Sequence, residues 1–225
     1  MSTQSSGLRL FWTEFRDNKV ALFALVVVIL MIFLALFASL ISPQNPYDLA
    51  NLSLMDSRRP PGFVGSGGYT HLLGTDPQGR DLLSAIFYGL RISIQIGLAA
   101  GFVSLTIGTA LGIAAAYLGG RVEALIMRLV DLQLSFPAIL LALVIIALLG
   151  QGKVQLIGAL VAAQYAYFAR TAYGAAKAER GKDYIEAALA TPLSGRLVVW
   201  RHLLPNCTPP LIVVATVQIA NSISL

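Results

Sequence analysis

Long uncharged apolar runs recur along the chain and predict membrane-spanning helices, because a helix needs roughly 20 apolar residues to cross a bilayer. The clearest run, residues 20–41, contains no charged residue. A cleaved signal peptide is the alternative, but its apolar region would be shorter and a small-residue cleavage site would follow, whereas Ser42-Pro43-Gln44 follows here. The pattern therefore predicts an anchored first span. Four further runs bring the prediction to five spans: residues 92–120, 132–152, 154–169 and 208–225.

The last three runs carry irregular features. Pro137 lies near the start of the third run, where neighbouring helices can satisfy the freed carbonyl. The fourth run is so short that it needs part of residues 170–173 to cross the membrane. The fifth run is still apolar at Leu225. Because a finished protein rarely ends inside a span, we expect the sequence to be truncated at its C-terminal end.

The composition agrees with a membrane protein. Of the 225 residues, 56% are hydrophobic and 12% are charged, against roughly 25% charged in ordinary soluble domains. This balance excludes a disordered chain and almost any water-soluble enzyme. The single cysteine excludes a disulfide scaffold.

The positive charges indicate a topology. Most of the 16 Lys and Arg residues fall on one side of the membrane if residues 1–19 form a cytoplasmic N-terminal segment, as the positive-inside rule favours. Residues 43–90 then form an outer loop and residues 170–206 a cytoplasmic loop, within a membrane domain that covers residues 20–225. This topology explains most of the net charge of +5, which therefore does not indicate nucleic-acid binding.

Four glycines in the second run predict a helix-packing seam. Gly97, Gly101, Gly108 and Gly112 form two G-x-x-x-G pairs, and at 100° per residue they lie within about 60° of one another. Such a face lets another helix backbone approach closely. The pattern does not say whether the partner helix belongs to this chain, and a membrane helix that is simply rich in glycine is the alternative.

The outer loop predicts a helix near its end. Asp76 is a good N-cap and Pro77 a good first helical residue. Apolar residues then fall on one helical face, which predicts an amphipathic helix on the membrane surface. A helical beginning of the second span is compatible with the same pattern and equally favoured. The apolar residues are Leu82, Leu83, Ile86, Phe87 and Leu90.

The cytoplasmic loop contains a short predicted helix. Asp183 and Glu186 fit a capping box, in which Asp183 is the N-cap and Glu186 reaches back to its amide. The helix would end at Pro192. So short a helix is marginal alone in water and needs a partner surface. Ala187 and Ala188 keep it thin enough to enter a groove.

Several single residues carry further hypotheses. Arg128 and Asp131 are three residues apart and predict an ion pair on one helical face, with a gate or a subunit contact as the alternative. His71 and His202 fall on opposite sides in this topology, which excludes a metal site built from both. Cys207 is interpreted as a small buried residue. Three polar residues of the fourth run line a pathway or belong to an aromatic belt: Gln164, Tyr165 and Tyr167.

At these residues the chain resembles a known family. Glu186-Ala187-Ala188, followed by Leu204-Pro205, is similar to the cytoplasmic EAA loop of ABC importer permeases. Residues 73–84 resemble the outer-loop signature of the "C" permease subunits of dipeptide and oligopeptide importers. In this chain the signature includes Gly74, Thr75, Asp76, Gly79, Arg80 and Asp81. Four other segments fit the same subfamily in the same order: residues 88–93, 127–131, 135–137 and 201–206.

The chain departs from the family pattern at two places. Pro192 stands where the EAA loop usually has a glycine, so the loop must turn differently, with Gly195 as the candidate for the turn. Tyr165-Ala166 stands where the family commonly has a Trp-Pro pair. Family members also have a sixth span, which would lie beyond Leu225.

The resemblance implies an all-α, polytopic transmembrane helical bundle of the MetI-like permease type in a bacterial inner membrane. A second permease subunit would complete the pathway, two ATP-binding subunits would dock on a coupling helix around Glu186, and an extracytoplasmic binding protein would deliver the substrate. Dipeptides, oligopeptides, glutathione and nickel chelates all remain open as substrates. The residues implied in docking are Asp183, Glu186, Ala187, Ala188, Pro192 and Gly195.

The chain itself shows no motif for ATP chemistry. It contains no G-x-x-x-x-G-K-[ST] sequence, so we expect ATP and Mg²⁺ on partner subunits, and we predict no catalytic residue, metal site or cofactor in this chain. An ion-coupled carrier or channel is the alternative, disfavoured because the spans lack acidic residues at mid-membrane. A membrane enzyme is disfavoured because no His, Glu and Cys constellation stands out.

Overall fold

The computed structural model describes residues 7–185 and 195–224, whose regular structure is dominated by helices. The chain divides between Ile94 and Gln95 into two compact units. Helix α4, Leu82–Leu118, belongs to both of them. The predicted all-α polytopic fold is confirmed.

Three helices begin the first unit: α1, Gly7–Asp17, α2, Lys19–Leu36, and α3, Ala38–Ile41. Asn18 starts α2, since its Oδ1 accepts hydrogen bonds of 3.1 Å from the backbone N–H groups two and three residues ahead. Helix α2 is apolar on every face and mostly exposed, as expected of a helix surrounded by lipid. Helices α2 and α3 together occupy the predicted first span, with a break at Phe37.

The α3–α4 loop, residues 42–81, completes most of the first unit. It contains two 3₁₀ turns, Leu49–Asn51 and Leu54–Asp56. Strands β1, Phe63–Val64, and β2, Thr70–His71, form an antiparallel hairpin in which the first residue of β1 lies opposite the last residue of β2. The hairpin and the turns pack the loop into a folded segment.

The predicted helix start at Asp76 and Pro77 is wrong. An isolated β-bridge between Thr75 and Asp81 closes residues 75–81 into a turn, and α4 begins only at Leu82. Because α4 then runs uninterrupted to Leu118, the amphipathic stretch is the helical beginning of the second span.

Helix α7 is the most buried helix of the second unit. It covers Lys153–Arg180 and packs against α5, Gly120–Leu134, α6, Ala138–Leu149, and α9, Leu204–Ser224. Most of its buried side chains are alanines, which let neighbouring helices approach closely. Its one buried aromatic residue, Phe168, lies in a core cluster with side chains of α4 and α9.

The number of spans needs correction. Among the described residues, three helices are long and apolar enough to cross a membrane: α2, α4 and Val199–Ser224. A fourth is added if α5 and α6 count as one broken span, but their axes bend by 91° where Pro137 interrupts the helix. The predicted fourth run lies in α7, which is not among these helices because Arg170 and several Gln and Tyr residues lower its hydropathy.

Much of the predicted cytoplasmic loop is helical. Helix α7 continues to Arg180, α8 covers Gly195–Val198, and a π-helical turn, Val199–Leu203, leads directly into α9. Residues 181–194, the α7–α8 segment, lie between these helices. Single π-helical turns are frequent at functional sites.

Candidate functional site

The first glycine pair of α4 packs against α9. A Cβ built on Gly97 would lie 2.9 Å from Cγ1 of Ile223, and one built on Gly101 would lie 2.7 Å from Cγ1 of Ile219. Both distances are shorter than van der Waals contact. The two helices therefore meet at this separation because these two positions lack a side chain.

The second glycine pair packs against α7 even more tightly. A Cβ on Gly108 would lie 2.5 Å from Cβ of Phe168, and one on Gly112 would lie 2.8 Å from Cβ of Ala172. The same two atoms would also overlap backbone carbonyl oxygens of α7. The four glycines thus face two different helices of the same chain, α9 and α7.

A polar cluster ties α5 to the second half of α7. The carboxylate of Glu123 accepts hydrogen bonds from the hydroxyl of Tyr173 and, at 2.5 Å, from Nζ of Lys177. The hydrogen bond from Lys177, and to a lesser extent that from Tyr173, holds the pKa of Glu123 below its usual range. Nη1 of Arg180 donates to the carbonyl of Ala116 in α4 at 2.6 Å. The end of α7 is thereby fixed to both neighbours.

Asp131 has a different partner from the one predicted. Its carboxylate lies 2.9 Å from Nη1 of Arg170 on α7. The predicted partner was Arg128 of its own helix. Both side chains are about half exposed, so we expect this ion pair to contribute about 0–1 kcal/mol to the free energy of unfolding. The pair connects α5 to α7.

The beginning of the α7–α8 segment is anchored on α7 and α9. The hydroxyl of Tyr184 donates to Glu179 and accepts a hydrogen bond of 3.1 Å from Nδ2 of Asn206. Nζ of Lys182 lies 2.7 Å from the same Glu179 carboxylate, and Ile185 is fully buried. Hydrogen bonds from Lys182 and Tyr184 hold the pKa of Glu179 below its usual range.

The predicted docking residues are only partly described. Asp183 is exposed and is the first of three helical residues, 183–185. Glu186, Ala187, Ala188 and Pro192 lie outside the described residues. Gly195 is the first residue of α8, and a Cβ on it would overlap the hydroxyl of Tyr117. The turn predicted between Pro192 and Gly195 falls on residues that lie outside the described ones.

The predicted signature residues of the α3–α4 loop form one turn. The carboxylate of Asp76 accepts hydrogen bonds from the N–H groups of Gln78 at 2.8 Å and Arg80 at 2.9 Å, and from Nε of Arg80 at 2.7 Å. Gly79 has a φ of +77°, and a Cβ there would overlap the carbonyl of Ser53. Only glycine fits this position easily, because L side chains disfavour positive φ and no space is left for one.

Asp81 caps α4 from the end of this turn. Its Oδ2 accepts from the backbone N–H and the hydroxyl of Ser84, both at 2.7 Å, and its Oδ1 lies 3.0 Å from Nδ1 of His71. Its own N–H donates to Oε1 of Gln44 at 2.7 Å. Asp81, His71 and Ser84 are almost fully buried. This pairing has no local sequence signal, because His71 lies ten residues away and is brought to Asp81 by the β-hairpin.

Replacing Asp81 with alanine should open the α3–α4 loop. The variant leaves Ser84 and His71 without their buried acceptor, and we expect a cost of about 3 kcal/mol. Limited proteolysis of native membranes should cut residues 42–81 much faster. The control is Ser57→Ala, which removes one hydrogen bond of 2.9 Å to the carbonyl of Pro77. Equal cleavage of both variants would contradict the assigned role of Asp81.

The backbone amides of the α3–α4 loop should also lose protection against hydrogen exchange in acid. Hydrogen bonds from the side chain and backbone of Ser66 hold the pKa of Asp56 below its usual 3.8. Burial raises the pKa of Asp76, but hydrogen bonds from Arg80 and Gln78 outweigh it, so this pKa also lies below 3.8. A carboxyl whose pKa is lowered by folding stabilises the fold above its unfolded pKa, and the contribution disappears as the pH falls through the folded pKa.

Hydrogen exchange of residues 53–81 at pH 7 and at about pH 3, corrected for intrinsic rates, tests whether acid destabilises the α3–α4 loop. We expect full protection at pH 7 and partial loss at the lower value. The Ser66→Ala variant, which lacks the hydroxyl that donates to Asp56 at 2.6 Å, should show a smaller difference between the two conditions. Protection that is the same at both pH values would count against the account.

A buried amide cluster joins α7 to α9. Nε2 of Gln164 donates to the hydroxyl oxygen of Ser222 at 2.7 Å, and Ser222 donates to the carbonyl of Gln218 at 2.9 Å. All three residues are buried. Next to them a cavity of about 310 Å³ lies between α6, α7 and α9. Its lining consists of Ala138, Ile139, Ala163, Gln164, Tyr167, Gln218, Asn221 and Ser224.

A larger cavity has a different chemistry. It measures about 850 Å³ and lies between α4 and the helical stretch from α8 to α9. Its lining is mostly apolar, with Ile113, Leu204 and Leu211 among the side chains, and its polar side-chain groups are hydroxyls and the indole N–H of Trp200. The smaller cavity is therefore the one with amide side chains. Within the described residues, no group of three or more His, Cys, Asp or Glu side chains is arranged to hold a metal.

The fold defines a polytopic helical membrane protein. A family model described as "Binding-protein-dependent transport system inner membrane component" matches residues 108–225, and one described as "N-terminal TM domain of oligopeptide transport permease C" matches residues 6–61. The chain belongs to the family of binding-protein-dependent transport system inner membrane components, within its dipeptide and oligopeptide permease C branch. The resemblance carried by the sequence motifs is thereby confirmed.

Similar proteins are found in several bacteria. The chain is 37% identical to a di/tripeptide transport system permease protein DppC of Pseudomonas aeruginosa strain UCBPP-PA14, over 97% of this chain and 71% of that protein. It is 37% identical to the dipeptide transport system permease protein DppC of Escherichia coli K12, over 96% of this chain and 71% of that protein. It is 35% identical to a glutathione transport system permease protein GsiD of Shigella dysenteriae, over 95% of this chain and 68% of that protein.

Proposed function

We propose that the chain is a permease subunit of an ATP-driven importer for peptides or related small ligands. The observation that carries the proposal is the joint match of both family models to one chain whose helices are apolar enough to cross a membrane. The relatives named for di- and tripeptides and for glutathione support peptide-like substrates. All of these ligands contain amide groups, which the pathway must accept.

The translocation pathway would be shared with a second permease subunit. Substrate would arrive from an extracytoplasmic binding protein, as the description of the family indicates. ATP and Mg²⁺ would be bound by two partner ATPase subunits, and this chain would contribute neither catalysis nor a cofactor site. Its N-terminus would be cytoplasmic, which the distribution of Lys and Arg supports.

The α7–α8 segment would be the contact with an ATPase subunit. Glu186, Ala187 and Ala188 supply the EAA sequence there. The contacts of Tyr184 with Glu179 and Asn206 support this role, because they would transmit a displacement of the segment to α7 and α9. ATP-driven closure of the ATPases would then move the permease between inward-open and outward-open states.

The experiment is to co-express this chain with its candidate partner permease and ATPase subunits. We expect ATP hydrolysis by the reconstituted complex to require this chain and to rise when the loaded binding protein is added. Hydrolysis that is the same without this chain, or that ignores the binding protein, would overturn the proposal.

A further inference from the structure

Two amide side chains of the smaller cavity lie several turns from the first residues of their helices. Gln164 is about 16 Å along α7 from its first residue, and Gln218 is about 21 Å along α9 from its first residue. An apolar bilayer core is about 30 Å thick. Gln218 and Asn221 lie within Val199–Ser224, one of the helices long and apolar enough to cross it, so the cavity is lined by neutral polar groups of a candidate membrane span.

Three polar side chains near the end of α9 share one sector of the helix. Gln218, Asn221 and Ser222 lie within about 100° of one another around the helix. Val213, outside this sector, is 63% exposed, which suits contact with lipid. Amide groups that faced lipid would lack hydrogen-bond partners at a cost of several kcal/mol. Their placement around a cavity indicates that water or a polar ligand occupies it.

The cavity is organised before any ligand arrives. The hydrogen bond between Gln164 and Ser222 fixes the side chain of Gln164, and the hydroxyl of Ser222 is fixed in turn by the backbone of Gln218. Fixed polar groups need less reordering on binding, which favours recognition. The remaining amide, Asn221, is exposed to the cavity.

The lining matches one class of ligand. Gln and Asn side chains offer N–H donors and C=O acceptors, the same two groups that a peptide main chain presents. None of the lining residues that the structure describes is Asp, Glu, Lys or Arg, so no fixed charge would trap a passing substrate. Weak binding of this kind suits a pathway, which must also release its ligand. The volume of about 310 Å³ is at the lower end for small-ligand sites.

We propose that this cavity is a transient binding site for the peptide main chain during translocation, in which Gln218 and Asn221 contact the substrate and Gln164 and Tyr167 complete the lining. The inference rests on the proposed peptide-import function. It further predicts that the site accepts dipeptides with little regard to their side chains.

Two measurements on the complete reconstituted complex test the inference. In the first, dialanine uptake into proteoliposomes is compared for the unmodified chain, the double variant Gln218→Leu/Asn221→Leu and the lipid-facing control Val213→Leu. We expect uptake by the double variant to fall about tenfold, while ATPase stimulation by the loaded binding protein changes less than about twofold. Uptake equal to that of the control would overturn the inference.

The second measurement reports on the cavity directly. Asn221→Cys and Val213→Cys are each made together with Cys207→Ala, which removes the single native cysteine. A membrane-impermeant thiol reagent should label Asn221→Cys but not Val213→Cys, and dialanine should slow the labelling. Absent labelling, or labelling that dialanine does not slow, overturns the inference even when uptake is normal. Slowed labelling without ATP-driven uptake would instead contradict the proposed function.

Discussion

Replacing Gly112 with alanine is expected to destabilise the helical bundle, whereas the same change at Gly174 is expected to stabilise it. A Cβ on Gly112 would lie 2.8 Å from Cβ of Ala172 and 2.8 Å from N of Tyr173, while nothing lies within 4 Å of a Cβ on Gly174. Overpacking against a backbone costs about 1–3 kcal/mol. A helical Gly→Ala change with free space gains about 0.5–1 kcal/mol.

The comparison uses one substitution in two environments, so helix propensity alone predicts the same sign for both. Thermal unfolding in a fixed detergent, followed by circular dichroism, gives the two shifts. Gly108→Ala should behave like Gly112→Ala, and Gly158→Ala like Gly174→Ala, since nothing lies within 4 Å of a Cβ on Gly158. Stabilisation by Gly112→Ala would mean that the close packing of α4 on α7 is wrong.

Replacing residues 186–192 with glycine and serine of the same length should abolish co-purification of the ATPase subunits. The replaced residues include the EAA sequence and leave in place the described contacts of Lys182, Tyr184 and Ile185, so we expect the bundle to keep its fold and stay in the membrane. Ile185 on one side is fully buried, and Gly195 on the other packs against Tyr117. We therefore expect a loss of coupling without a loss of folding.

Co-purification of the second permease subunit serves as the internal control and should be unchanged. The single variant Glu186→Gln separates two roles of this residue, because glutamine keeps the capping geometry but loses the charge. Full ATPase binding by the seven-residue replacement would show that the contact lies elsewhere in the chain.

The sequence was most informative where local hydrophobicity or helical periodicity alone determines the structure. The apolar run of residues 20–41 favours a lipid-surrounded helix over a signal peptide, and α2 and α3 cover it. The glycines of α4 could be assigned to one face from helical geometry, but not to their partners. Gly101 packs on α9 and Gly112 on α7, and this choice depends on helices that lie far away in the sequence.

Local signals failed where two residues could serve the same purpose. Asp76 and Asp81 are both good N-caps, and the turn made possible by Gly79 passes the role to Asp81. Arg128 and Arg170 could each pair with Asp131, and packing of α5 on α7 favours Arg170. Pro137 was predicted inside a span but is the N-cap of α6, at a 91° bend between α5 and α6. Each outcome is set by tertiary contacts that a single sequence does not show.

Uptake of a radiolabelled dipeptide by proteoliposomes that contain the complete complex tests most directly whether this chain serves an ATP-driven importer. We expect uptake that requires this chain, the loaded binding protein and ATP hydrolysis, and that proceeds without any ion gradient. Uptake driven by a proton or sodium gradient in the absence of ATP would contradict it.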